Sequence, residues 1–260
     1  MSDIHDLVRE RYGRIAKEGG TGPGCCAPQS ACCGDAAEKS RRMGYAEAEL
    51  AAAPEGANLG LGCGNPQAIA ALRAGEVVVD LGSGAGFDAF LAAQQVEPEG
   101  KVIGIDMTPE MLDKARANAR KVGAANVSFL LGRIEDLPLP EGVADVVISN
   151  CVINLSPDKP RVFAEAFRVL KPGGRVAVSD VVRIGAMPAA MAADPEGLCA
   201  CISGAATPAE IEDWLAAAGF TEAAVSLKPE SREMIAGWAP GSGAEDFVVS
   251  AFIAARKPVA

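Results

Sequence analysis

Glu76 to Asp88 reads EVVVDLGSGAGFD. The valine run is short, apolar and β-branched, and Gly82, Gly84 and Gly86 let the chain turn sharply as it leaves the strand. Downstream the pattern repeats: a helix through Ala89 to Gln95, KVIGID, a helix from Pro109 to Lys121, VSFLLG, ADVVISN, a helix through Pro160 to Leu170, and RVAVSD. Val- and Ile-rich runs alternating with helical stretches predict a parallel sheet covered on both faces. A helix from Pro208 to Ala218 follows, then a weak strand near Ala223 to Leu227 and a strong one, FVVSAFIAA, at Phe247 to Ala255. No long helix separates those last two, so they are expected as an antiparallel pair at one edge.

Upstream, Asp3 to Ala16 spaces Ile4, Leu7, Val8, Tyr12 and Ile15 along one face of an amphipathic helix. Gly19 to Ser40, rich in Gly, Pro and small residues, predicts an irregular, mobile segment carrying Cys25, Cys26, Cys32 and Cys33. Tyr45 to Ala53 reads as a short helix, and Gly60 to Pro66 as a glycine-punctuated loop presenting Cys63. Three parts are expected: residues 1–57, a helix and a cysteine-rich segment; 58–185, a nucleotide-binding α/β core; and 186–260, a loop, a helix and closing edge strands.

With 49% hydrophobic and 22% charged residues, the 260-residue chain has the composition of a well-buried globular protein. Its net charge of −10 argues against nucleic acid or an anionic membrane surface as partner, since both carry the same sign, and favours a small-molecule substrate. No run of 18 apolar residues appears and the N-terminus is charged, so a cytoplasmic location is expected. Thiols stay reduced there, and the eight cysteines therefore read as ligands, nucleophiles or redox groups before structural disulfides.

Cofactor-binding candidates stand at two strand ends. Gly82, Ser83, Gly84 and Gly86 bring backbone close to a ligand at the carboxyl edge of the sheet, where doubly wound folds bind nucleotides. Asp106, closing the second strand, can accept hydrogen bonds from both ribose hydroxyls. An NAD fingerprint also offers spaced glycines and a ribose acid, but its helix N-terminus faces a pyrophosphate. Asp80, at the entrance of this loop, would repel a pyrophosphate and suits the ammonium of a methionine moiety. That points to S-adenosylmethionine (SAM). If Asp80 merely capped the next helix, the matching acid at Asp106 would be unexplained.

The acceptor side is read from sulfur. The single histidine, His5, lies near the start of the chain, badly placed for a Cys-His dyad, a Ser-His-Asp triad or a mixed Cys/His zinc site. Cys151 directly follows the fourth strand, at the cofactor edge, while Cys63, Cys199 and Cys201 lie in loops that an α/β fold gathers over that edge. A lone buried cysteine fills space as a small hydrophobe, but three dispersed thiols converging on one cavity select a soft, thiophilic centre. Trivalent arsenic fits: three sulfurs hold it in a trigonal pyramid, and its lone pair is already a nucleophile.

The ordering of strands, with a reversed last one, resembles the class I SAM-dependent methyltransferases: a Rossmann-like doubly wound sheet of seven strands, here with an N-terminal helical and irregular extension and a small C-terminal elaboration. NLGLGCGNP, VVVDLGSGAGFD, VIGIDMTPEML, VISNCVINLSPDKPRVFAEAFRVLKPGGR and CISGA resemble the arsenite methyltransferases, over most of Asn58 to Ala205. The resemblance implies methyl transfer from SAM to arsenite, in detoxification, with Cys63, Cys151 and Cys201 as arsenic ligands and Cys32 or Cys33 as a further one. It implies that Ile134 and Glu135 flank the adenine, that Met107 and Asn150 belong to the cofactor pocket, and that a thiol reductant of thioredoxin or glutathione type is a partner. Cys199 is expected to be a bystander. Two other readings compete: a SAM-dependent C- or O-methyltransferase of a small organic acceptor, which leaves the dispersed cysteines unexplained, and a thiol metal-binding or sensor protein, whose CC-x5-CC lacks the usual C-x2-C zinc spacing.

Overall fold

The computed structural model describes residues 4–18, 36–238 and 240–259. Four helices precede the sheet: α1 (Ile4–Glu18), α2 (Ala36–Arg42), α3 (Glu47–Ala52) and α4 (Gln67–Ala70). The strands are β1 (Val77–Leu81), β2 (Lys101–Asp106), β3 (Val127–Leu131), β4 (Ala144–Asn150), β5 (Leu170–Arg183), β6 (Thr221–Lys228) and β7 (Val248–Arg256). Between them run α5 (Phe87–Val96), α6 (Pro109–Val122), α7 (Lys159–Val169), α8 (Ala189–Ala192), α9 (Pro195–Cys199), α10 (Pro208–Ala218) and α11 (Arg232–Ala236). Sequence punctuation sets the helix ends. Pro109 and Pro208 stand in the first turns, Gly123 and Gly219 close α6 and α10 in left-handed conformations, and Thr207 with Glu210 forms a capping box.

The strand order is β3-β2-β1-β4-β5-β7-β6, with β1 to β5 parallel and β7 antiparallel to both neighbours. The expected reversed strand is therefore present, but β7 lies one place in from the edge and β6 takes the rim. β5 is longer than its RVAVSD core because β7 pairs with it continuously from Arg175 to Arg183. Adjacent residues face opposite layers: Val78 and Val146 pack with α5 and α6, while Val79 and Val147 pack with α7 and α10. A third apolar cluster forms above the carboxyl edge and contains Val8 of α1 together with Cys63, Cys151, Cys201, Leu155 and Ile202.

Register then places the chemistry. β1, β2 and β4 end at Leu81, Asp106 and Asn150, so the glycine turn, Met107 and Cys151 share one rim. Asn150 pairs with Ser179, which sets Cys151 beside the stretch Ser179 to Val181. Gly86 is one position in the turn that admits no side chain. It caps α5 at φ 93°, and a Cβ there would come within 2.7 Å of Phe90 and 2.8 Å of Phe129. Gly86→Ala is expected to destabilise the fold by about 2–4 kcal/mol through backbone strain and overpacking, seen as a lower urea midpoint at unchanged m-value.

Candidate active site

Asp80 ends in a buried carboxylate, 2% exposed, whose Oδ2 has no hydrogen-bond partner among the described residues. Burial, followed by the nearby Asp88 and Asp106 charges, pushes its pKa well above the ordinary carboxylate range. A buried acid with an unused acceptor at a cavity wall suits a cationic ligand, and the ammonium of SAM supplies one. Ser83 Oγ, also buried and unpartnered, adds a second free polar group. Asp106 both binds and braces: its Oδ2 accepts from Gly84 N at 2.9 Å and its Oδ1 from Thr108 N at 2.8 Å, and each oxygen keeps capacity for a ribose hydroxyl. Gly82 N and Ser83 N donate to Ile105 O at 2.7 and 3.0 Å, tying the turn to β2.

Asn150 links this half to the thiols. Its Nδ2 donates to Gly64 O at 2.8 Å, Tyr45 Oη at 2.9 Å and Asp88 Oδ2 at 3.1 Å, and its Oδ1 accepts from Cys63 N at 3.1 Å. Tyr45 completes the loop by donating to Asp88 Oδ1 at 2.7 Å. Gly62 is glycine for the same reason: at φ 138° its Cβ would meet the Asn150 amide at 2.9 Å.

Cys63, Cys151 and Cys201 are free and buried in one cluster. Cys63 Sγ lies 3.7 Å from Ser179 Oγ, and Cys201 Sγ donates to Cys151 O at 3.0 Å. Cys151 and Cys201 both adopt left-handed backbone, φ 58° and 60°, costing on the order of 1–3 kcal/mol each and fixing where their thiols point. Hydrogen bonds with Cys201 and Cys63, then burial, push the Cys151 thiol pKa well up. For Cys201 the hydrogen bond to Cys151 pulls downward, but burial with the Asp180 and Cys63 charges outweighs it and the net direction is up. Both are therefore thiols at neutral pH.

A cavity of about 710 Å³ joins the two halves, with Asp80, Asp106, Met107, Ile134, Glu135, Asn150, Cys151 and Cys201 on its wall. Cys63 stands just behind, and its neighbours Leu61 and Gly62 form the lining. Cys199, expected as a bystander, is on the wall as well. Cys25, Cys26, Cys32 and Cys33 lie outside the described residues.

Sequence reasoning missed what covers the cavity. His5 is part of α1 and reaches the wall, its Nε2 3.1 Å from Glu135 Oε1, so it is no remote tail residue. Glu135 also accepts from the Ser156 hydroxyl. Tyr12, one helical stretch further along, donates to Cys199 O at 3.2 Å; burial and the charges of Cys201, Cys151 and Cys199 raise its phenol pKa. Lys17 pairs with Glu110 at 3.0 Å and Arg11 with Glu196, holding α1 down at its C-terminal end and its middle. Its amphipathic spacing was legible, but nothing in it specified a partner. Tyr45 and Asp88 were equally unassigned, although the quoted motif ends on Asp88.

An ammonium ligand needs Asp80 ionised, whereas the empty site favours its protonated form. SAM affinity should therefore rise as pH climbs through the raised Asp80 pKa, with proton release on binding, and Asp80→Asn should bind weakly with no such pH dependence. Calorimetry in two buffers of different ionisation heat measures both; a proton release unchanged in the variant would refute the pairing.

A methyltransferase-domain family model matches residues 72–219. The chain is 48% identical to an arsenite methyltransferase of Halobacterium salinarum over 98% of its own length, spanning 67% of that protein. It is 38% identical to an arsenite methyltransferase of Aquipseudomonas alcaligenes over 84% of its length, spanning 62% of that one. Among solved structures, the arsenic(III) SAM methyltransferase of Chlamydomonas reinhardtii superposes with a TM-score of 0.59 at 33% identity, over 86% of this chain and 73% of that one. On the match to the Halobacterium protein, the chain belongs to the arsenite methyltransferase family of SAM-dependent methyltransferases.

Proposed function

We propose that this chain transfers a methyl group from SAM to trivalent arsenic held by Cys63, Cys151 and Cys201. The observation that carries the reading is the pairing, at one cavity, of a buried carboxylate with one oxygen lacking a donor and a cluster of buried thiols. Asp80 would hold the ammonium, Asp106 the ribose, and Ile134 with Glu135 the adenine; SAM supplies an electrophilic methyl when bound. Raised thiol pKa values suit loading. Each protonated thiol exchanges for one arsenite hydroxyl and releases water, so no base is required and no net charge enters the apolar pocket. The strained turns at Cys151 and Cys201 hold two sulfurs in advance, leaving the arsenic lone pair to be aimed across the cavity.

Cys32 or Cys33 would supply a further ligand for the first methylation, and a thiol reductant of thioredoxin or glutathione type would restore the thiols in the cytoplasm. No helix among the described residues is long and apolar enough to cross a membrane.

Labelled SAM and arsenite, incubated with the protein under reducing conditions, should give methylated arsenic by chromatographic speciation. Cys151→Ser and Cys201→Ser should abolish turnover of arsenite and of monomethylarsenite, because the latter still offers two sites to sulfur. Cys63→Ser should lose only the first. Methylation of a quinone or phenol, with arsenite untouched, would establish the organic-acceptor reading instead.

Replacing all four N-terminal cysteines by serine should depress arsenite methylation strongly and leave SAM affinity and monomethylarsenite turnover nearly intact. A wild-type arsenite rate in that variant would show that Cys63, Cys151 and Cys201 suffice.

A further inference from the structure

Asp180 is buried at 2% exposure on β5, and one of its carboxylate oxygens lies within 4.8 Å of both Cys63 Sγ and Cys151 Sγ. It is not on the cofactor wall, and nothing in the cofactor reading uses it. Its oxygens are held by donors alone: Oδ1 accepts from Val181 N at 2.8 Å and Asn154 Nδ2 at 2.9 Å, and Oδ2 from Ile153 N at 2.9 Å and Asn154 N at 3.4 Å. Burial raises its pKa to about 6, against four N–H groups that favour the ionised form and fix it in place, so the carboxylate is the main species at neutral pH. A negative charge so close to the thiols opposes their ionisation. Once arsenic has replaced the thiol protons, the same charge has a second use.

Charge bookkeeping across the proposed reaction identifies it, and so the inference rests on that functional reading. Arsenic bound to three sulfurs is neutral. Its lone pair forms the As–C bond, the C–S bond of the sulfonium breaks with its electron pair returning to sulfur, and the positive charge moves from the donor to the arsenic. We propose that Asp180 is the fixed counter-charge for that positive arsenic, stabilising the transition state more than the neutral loaded state. The asymmetry matters, because only an interaction that strengthens as charge develops accelerates the step. A preset carboxylate in a water-excluded pocket has no reorganisation to undergo as the charge arrives. Lys159 lies within electrostatic reach of Asp180 and Cys201 and partly offsets the carboxylate throughout.

Asp180→Asn is the test, with two readouts. In the loaded enzyme kcat should fall on the order of 10²-fold while the KM values for arsenite and SAM hold, and intact-mass spectrometry should show the same arsenite adduct as in wild type. Without SAM, cadmium serves as a stably positive probe of the thiol site. Its affinity, followed by thiolate charge-transfer absorption, should drop roughly tenfold in the variant.

Asp180→Glu separates charge from structure, since it keeps the carboxylate and changes only its reach. It should recover most of the kcat that Asp180→Asn loses. Equal losses in the two variants, a lost arsenite adduct in Asp180→Asn, or unchanged cadmium affinity would overturn the inference. Wild-type turnover in the same assay isolates the cause: an active wild type with an equally active Asp180→Asn sinks this inference alone, whereas an inactive wild type sinks the functional reading with it.

Discussion

One buried carboxylate oxygen without a donor, on Asp80, constrains the rest of the molecule. Leaving such a group unsatisfied costs about 1–3 kcal/mol, and here Asp88 and Asp106 stand close enough to raise the cost. The fold contains the damage by occupying the neighbours. Asp106 is braced by the glycine turn and Thr108, and Asp88 by Tyr45 and Asn150, whereas one oxygen of Asp80 is left without a donor. Because the pKa of Asp80 is raised in the folded state, the unloaded fold binds more protons than the unfolded chain, and stability falls as pH rises from the ordinary carboxylate range through the raised value. A bound ammonium reverses that sign, tying the integrity of this edge to its ligand.

Asn150 transmits the arrangement to the thiols. Three acceptors and one donor meet on a single side chain at the end of β4, joining Asp88 on the cofactor side to the Cys63 loop on the other. The next residue, Cys151, turns into left-handed backbone and directs its sulfur toward Cys63 and Cys201. Asn150 and Cys151, consecutive residues at one strand end, thus join the two halves of the cavity wall.

The parallel sheet was legible because period-two burial and valine-rich runs leave little choice of face, and the strand-end residues Asp80, Asp106 and Cys151 followed from it directly. The placement of β7 was only half legible: pattern reveals that two late strands pair, but whether the second inserts beside β5 depends on long-range register that no local signal encodes. The lid was not legible. A face of Ile4, Val8 and Tyr12 states that α1 is buried, not against what, and so His5 read as a tail residue until Glu135 was seen opposite it. Asp180 escaped for a related reason: a strand acid announces itself as functional only once its distance to sulfur is known.

Burial acts on both halves of the site and is put to opposite uses. On Asp80 it disfavours the charged form, and that penalty becomes a preference for a cationic partner whose binding restores the charge. On Cys151 and Cys201 it also disfavours the charged form, and under the proposed function the neutral thiol would be the useful species, since exchange with arsenite hydroxyls would then move no charge into an apolar pocket. A histidine hydrogen-bonded to the sulfur would undo the second effect by lowering thiol pKa values and stabilising thiolates that repel one another. Under the proposed function a histidine beside the sulfurs would work against loading, and His5 instead faces Glu135 across the cavity wall.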